Sequence, residues 1–172
     1  MKLFGLAGWS GSGKTTLMRR LLPELIGRGL TVSTIKHAHH GFDIDHPGKD
    51  SYEHRQAGAT EVLVCSAKRW ALMHELRGRP QPSIEELVQR LTPVDLVILE
   101  GFKGRAHDKL EVYRASLGKP LLCPDDPCVV AVASDGPIAG VRLPRLDIND
   151  SVAIADFILA HVGLGDLKRG VA

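Results

Sequence analysis

Apolar residues in this chain come in short clusters, and the spacing within each cluster separates strands from helices. Residues 2–8 form a compact apolar run that predicts a buried strand opening straight into glycines and serines. From Lys14 the period lengthens: Leu17, Leu21, Leu22, Leu25 and Ile26 share one helical face, with a stop at Gly27 or Gly29. Pro23 lies inside this pattern and is expected to kink or shorten the helix, because it lacks an N–H and crowds the preceding turn. Residues 30–36 predict a second strand, followed by a polar loop over 37–50 and a short capped helix from Asp50 to Ala57. The runs 60–66 and 70–76, three residues apart, predict an antiparallel hairpin added to the sheet. Ser83 and Glu86 form a capping box ahead of Ile84, Leu87, Val88 and Leu91, and Pro93 ends that helix. Residues 94–99 are nearly all apolar and end in Glu100-Gly101, the pattern of a central parallel strand covered on both faces. Residues 109–114 alternate and predict a less buried strand, 129–133 another buried one, and 149–151 cap a last helix with Ile154, Phe157, Ile158 and Val162 inward. Strands alternating with helices make an α/β fold, a mostly parallel sheet in a three-layer αβα sandwich.

Composition narrows what such a fold does. At 172 residues and 44% hydrophobic content the chain suits one domain, drawn here over 1–163 with a fraying tail over 164–172. A net charge of +2 and 5% aromatic residues argue against a nucleic-acid coat or a stacking platform for single strands. Cys65, Cys123 and Cys128 are an odd number in a chain of this size, which points away from a disulfide framework and toward a reducing compartment. No apolar run reaches the length of about 20 residues that spans a bilayer. The apolar N-terminus resembles a signal peptide only superficially, since cleavage there would destroy the motif that follows. A cytoplasmic protein with no membrane partner is the expectation.

That motif is Gly8-Trp9-Ser10-Gly11-Ser12-Gly13-Lys14-Thr15, a full match to G-x-x-x-x-G-K-[ST] between a predicted strand and a predicted helix. Its glycines let the backbone curl so that several N–H groups converge on a phosphate, and the following helix adds its positive dipole end. Lys14 brings charge to the outer phosphates, and Thr15 offers a hydroxyl to Mg²⁺. The expected architecture is therefore of the P-loop NTPase type. Such a site wants a carboxylate at the end of a neighbouring buried strand, and Glu100 is placed for it, whereas Asp95 begins the same strand and belongs at the opposite edge.

The segment 36–50 is dense in groups that touch metal, water or phosphate. Asp45, ahead of His46-Pro47-Gly48, is the preferred residue to orient Mg²⁺ or an attacking water, with Lys49 and Asp50 behind it. Catalytic roles are thus assigned to Asp45 and Glu100, and metal contacts to Thr15, Asp45 and Glu100. His37, His39 and His40 could bind a transition metal, but with no Cys or Glu to complete a ligand set a solvated loop is the plainer reading. Cys123 and Cys128, with four residues between them and no second pair, are read as structural.

Taken together, the phosphate loop through Thr16, Ile35-Lys36-His37-x-His39-His40, the stretch 43–52, Arg69 to Met73, Glu100-Gly101-Phe102-Lys103, Val132-Ala133-Ser134-Asp135 and Leu146 to Asp150 resemble the MobB family. The resemblance runs over 2–162. It implies a homodimer that binds GTP with Mg²⁺, hydrolyses it weakly, and works beside a MobA-type guanylyltransferase that joins GMP to molybdopterin. It extends the nucleotide-contacting set from Gly8, Ser10, Gly11, Ser12, Gly13, Lys14, Thr15 and Thr16 to Glu100, Gly101, Phe102 and Lys103, with Ala133, Ser134 and Asp135 at the base. Guanine-specific P-loop proteins commonly carry Asn/Thr-Lys-x-Asp; here Asp135 stands without that lysine. A second departure is Trp9, where related dimer-coupled ATPases carry an extra lysine. The competing reading is a small-molecule or nucleotide kinase, for which Arg77-Gly78-Arg79 is the lid-like candidate.

Overall fold

In the computed structural model, residues 1–38 and 41–165 are described. They fall into two compact units, one made of Met1–His37 and the chain from Val88 onward, the other of Ala38–Leu87. The first unit holds β1 (Lys2–Ala7), α1 (Lys14–Gly27), β2 (Val32–Lys36), β5 (Leu96–Glu100), β6 (Lys109–Tyr113), β7 (Val129–Ser134), β8 (Arg145–Asp147) and α4 (Ser151–His161). The second holds α2 (Asp50–Gln56), β3 (Glu61–Cys65) and β4 (Trp70–His74), and α3 (Ile84–Val88) ends across the boundary.

The six strands of the first unit form one sheet in the order β2-β5-β1-β6-β7-β8, and every neighbouring pair is parallel. This is the expected mostly parallel α/β architecture. Phe4 and Leu6, Leu96 and Ile98, Leu110 and Val112, and Ala131 and Ala133 alternate onto the face where α1 and α4 pack, as the period of two requires. On the other face, Val129 and Val132 meet Leu121, Leu122 and Ile138, so segments after β6 and β7 cover the sheet there.

The structure departs from the pattern reading in five places. Helix α1 runs on through Pro23 to Gly27. Leu21 and Leu25 flank the proline and are both 0% exposed; burying two leucines at about 1.5–3 kcal/mol each offsets the roughly 3 kcal/mol that an interior proline costs. Helix α3 has its capping box, Ser83 N–H to Glu86 Oε2 at 2.7 Å and Glu86 N–H to Ser83 Oγ at 3.2 Å, yet stops at Val88. It has no buried residue to anchor a further turn, and the residue before Pro93 resists helical geometry. The hairpin forms as expected, with Leu63 opposite Leu72, but it makes its own two-stranded sheet and does not extend the parallel one. Its strands pair only with each other, and β3 packs beside α2 within its own unit.

The fourth departure concerns β6, which is central and buried. Lys109 and Glu111 are each 0% exposed. Both point away from α1 and α4 and fasten the covering segment. Lys109 Nζ donates to Asp126 Oδ2 at 2.8 Å and to the Arg105 carbonyl at 2.7 Å, and Glu111 accepts the N–H groups of Leu122 and Cys123. A charged alternation that looks solvent-facing in sequence is therefore a set of satisfied buried groups. Strand β8 was not anticipated; three residues with one apolar position are too few to show a period.

Candidate nucleotide site

The phosphate loop leaves β1 at Ala7, between β5 and β6, and enters α1 at Lys14. Its curl depends on the absence of side chains. A Cβ on Gly8, whose φ is +144°, would lie 2.4 Å from the Val112 carbonyl oxygen and 2.8 Å from Ser12 Oγ. Gly11 and Gly13 also have positive φ. Ser12 is buried and its hydroxyl has no hydrogen-bond partner, a polar atom left over inside the loop. Lys14 Nζ folds back to donate to the carbonyls of Gly8 and Trp9, both at 2.9 Å. Burial pushes the Lys14 ammonium below its usual range; Glu100 opposes this, and Lys103 and Lys36 add to it. Ser10 and Thr16 lie exposed on the loop and the first turn of α1.

Glu100 closes β5, which lies beside β1, so its carboxylate arrives at the loop's edge of the sheet. Thr15 Oγ1 donates to Glu100 Oε1 at 2.9 Å, and Lys36 Nζ stands 3.7 Å from the same oxygen. Asp95 sits at the other end of β5, where its carboxylate accepts the N–H and hydroxyl of Thr31. Gly101 donates its N–H to the Leu6 carbonyl, Phe102 is buried with its ring 5.1 Å from that of His37, and Lys103 Nζ lies 4.0 Å from the Trp9 ring centroid. Trp9 is pinned by its own Nε1–H to the Pro120 carbonyl at 2.7 Å, which brings Lys119 to 6.0 Å from the same ring.

Ala133 and Ser134 close β7, and the Ser134 hydroxyl donates to the Gly136 carbonyl, shaping the turn that carries Asp135. Beside it a pocket of about 420 Å³ is walled by residues 134–137 and 145–147. Asp135 Oδ2 accepts from Arg114 Nη1 at 2.5 Å. Arg114 was not anticipated; in sequence it is only the last, basic residue of the predicted strand 109–114, and β6 itself ends one residue before it.

Asp45 stands in the second unit. Its two oxygens are taken by Arg55, whose guanidinium also reaches Asp43 at 2.9 Å and Glu75 at 3.1 Å. Hydrogen bonding from Arg55 outweighs burial and holds the Asp45 carboxyl below the usual range. Arg77, the one non-glycine residue with positive φ among the described residues, donates to the carbonyls of Arg55 and Ala59, and Arg79 donates to that of Leu76. Of the histidine cluster only His37 can be placed, since His39 and His40 lie outside the described residues, as does the tail from 166 onward. Among the described residues no group of three or more His, Cys, Asp or Glu side chains could hold a metal, the three cysteines are free thiols, and no helix is long and apolar enough to cross a membrane.

Residues 3–135 match the profile of the family described as MobB, molybdopterin guanine dinucleotide synthesis protein B. The chain belongs to the MobB family. The "Molybdopterin-guanine dinucleotide biosynthesis adapter protein" of Escherichia coli (strain K12) is 43% identical over 160 residues, covering 91% of either chain. The protein of the same name from Haemophilus influenzae is 44% identical over 160 residues, 91% of this chain and 86% of that one. A crystal structure titled molybdopterin-guanine biosynthesis protein B (mobB) superposes with a TM-score of 0.73 at 27% identity, over 92% of this chain and 99% of the other. The MobB fold thus accounts for the parallel sheet and the separate hairpin alike.

Proposed function

We propose that this MobB-family chain is an Mg²⁺-dependent GTP-binding adapter in molybdopterin guanine dinucleotide biosynthesis, with hydrolysis too slow to be its purpose. The observation that carries the reading is the Thr15–Glu100 hydrogen bond beside a phosphate loop whose lysine is bonded to the loop's own carbonyls. The residues suit the ligand: a cradle that a Cβ at Gly8 would fill, an unpartnered Ser12 hydroxyl, and an ammonium with several lysines close by. Gly8 to Thr16 would hold the phosphates, Thr15 and Glu100 would anchor the metal, Lys103 would add charge, and Asp135 would read the base. Mg²⁺, when bound, neutralises phosphate charge. Asp45, expected to orient Mg²⁺ or an attacking water, has both oxygens bonded to Arg55, and in this reading it holds the 43–50 loop in place of touching the metal. That same engagement leaves Arg55 unavailable as an arginine finger, and no glutamine occurs in the loop to orient water.

The adapter would serve a MobA-type guanylyltransferase acting on molybdopterin, and would do so as a homodimer. The hairpin offers a surface for the second copy: Leu63, its cross-strand partner Leu72, and Trp70, two residues along β4 from Leu72, are 59%, 40% and 65% exposed. The kinase reading needs mobile arginines to clamp a transferring phosphoryl group, and Arg77 and Arg79 are both bonded to backbone carbonyls. Nucleotide titration with single-turnover product analysis, alone and with a guanylyltransferase, tests the choice. Slow release of GDP and inorganic phosphate supports the adapter; a phosphorylated small molecule supports the kinase.

A further inference from the structure

We propose that Arg114 is a positioning residue for base recognition, supplying from a neighbouring strand the cation that Val132-Ala133-Ser134-Asp135 lacks. The proposal rests on the reading of this site as one that binds GTP through Asp135. It starts from strand order: β6 lies between β1, which delivers the phosphate loop, and β7, which delivers Asp135. The residue that follows β6 is therefore one strand away from each. Arg114 uses that place twice. Its Nε donates to the Ser12 carbonyl at 3.2 Å and its Nη1 to Asp135 Oδ2 at 2.5 Å. The approach to the loop is close enough that a Cβ on Gly13 would sit 3.4 Å from Nε.

Each feature has a chemical consequence. An ionised carboxylate has about four acceptor positions, so one bond to Arg114 fixes its rotation and leaves acceptors for N–H donors. Guanine offers two such donors, N1–H and the exocyclic amine, whereas adenine presents a bare N1 acceptor. The guanidinium also offsets the charge of Asp135 near a site that must accept a polyphosphate. A lysine at this position would keep the charge but not the fork, and a single ammonium cannot hold the Ser12 carbonyl and the Asp135 carboxylate in fixed directions. The bond to Ser12 makes Arg114 a tie between the loop that holds phosphates and the pocket beside Asp135.

The test is equilibrium affinity for the Mg²⁺ complexes of GTP, ITP, XTP and ATP, by displacement of a fluorescent GDP analogue, for the parent, Asp135→Asn, Arg114→Lys, Arg114→Met and the Asp135→Asn/Arg114→Met double variant. Thermal melting verifies that each is folded, and Arg114→Lys serves should Arg114→Met fail to fold. The parent is expected to favour GTP over ATP by at least about tenfold, and Asp135→Asn to move the preference toward XTP, whose C2 carbonyl accepts from a carboxamide. Arg114→Lys and Arg114→Met should each lower the GTP-to-ATP ratio, by about tenfold for the latter. In the double variant Arg114→Met should add little to Asp135→Asn, because both act on one contact. If Asp135→Asn changes the ratio and both Arg114 variants keep it, the Arg114 proposal alone is overturned. If Asp135→Asn leaves the ratio unchanged, the base-reading role of Asp135 fails and the proposal with it. Absence of nucleotide binding in the folded parent overturns the underlying reading itself.

Discussion

Replacing Lys14 with alanine is the sharpest probe of the phosphate loop, and its size can be worked from the contacts. In this structure the Lys14 ammonium donates to the Gly8 and Trp9 carbonyls, each at 2.9 Å, and burial already makes its charge less comfortable than in water. Binding a phosphate exchanges at least one neutral acceptor for a charged one. A hydrogen bond involving a charged group contributes about 1.5–3 kcal/mol, so Lys14→Ala should weaken Mg²⁺-GTP binding by about 10- to 150-fold. Losing the two carbonyl bonds also loosens the loop, so melting temperature and tripolyphosphate affinity are measured alongside. Tripolyphosphate should weaken by a similar factor, since the lysine does not touch the base. Calorimetry of the folded variant giving an affinity within about twofold of the parent would refute the assignment.

Three further outcomes follow. Glu100→Gln should shift the Mg²⁺ dependence of GTP binding to higher metal concentration; superimposed metal titrations of mutant and parent would make Glu100 a bystander to the Thr15 hydroxyl. Asp126→Asn should cost about 3 kcal/mol in urea unfolding at neutral pH, the scale for breaking a buried ion pair, because Lys109 is 0% exposed and keeps no other carboxylate among its hydrogen bonds. Burial raises the Asp126 carboxyl, but the Lys109 ammonium and the Cys128 N–H carry it below its ordinary range. Its stabilisation is then present above that range and lost as pH falls through the depressed value, so the same substitution should flatten the acid limb of a stability profile. Glu111 contributes with the opposite sign, since burial raises its carboxyl and stability is lost as pH climbs through the raised value. Trp70→Glu with Leu72→Glu should convert the expected homodimer to monomer in sedimentation at unchanged melting temperature of the monomer fold; a persistent dimer would place the interface elsewhere.

The parts of the fold that were legible in sequence are those where one period dominates. Phe4 and Leu6, Leu96 and Ile98, and the Leu17-Leu21-Leu25 stripe each announce their element because the buried side is uniformly apolar. Within the site, the phosphate loop and Glu100 were legible for a related reason: backbone curl demands glycine, and a carboxylate ending an apolar run must stand at a strand's C-terminal edge. The Asp45 environment was hidden because nothing local pairs Asp43, Asp45 and Glu75 with one guanidinium ten or more residues away. The contact between Trp9 and Lys103 was hidden likewise, since 94 positions of chain would have to be folded before it shows.

Arg114 shows how one misjudged strand conceals a site residue. In a sheet whose neighbours are all parallel, the C-terminal ends of the strands lie along one edge, and ligands of open α/β sheets bind outside that edge. Gly8 follows β1, Glu100 ends β5, and Asp135 follows β7. The same rule would have nominated Arg114, which follows β6, had β6 been given its central place. It was not, because Lys109 and Glu111 gave the strand the alternation of a less buried one. Those two charges are buried because backbone N–H groups and Asp126 satisfy them, and such partners are invisible to a hydropathy pattern. The underestimated burial of β6 and the missed arginine are thus one error with one cause: charged residues facing a polar covering segment look, in sequence, like charged residues facing water.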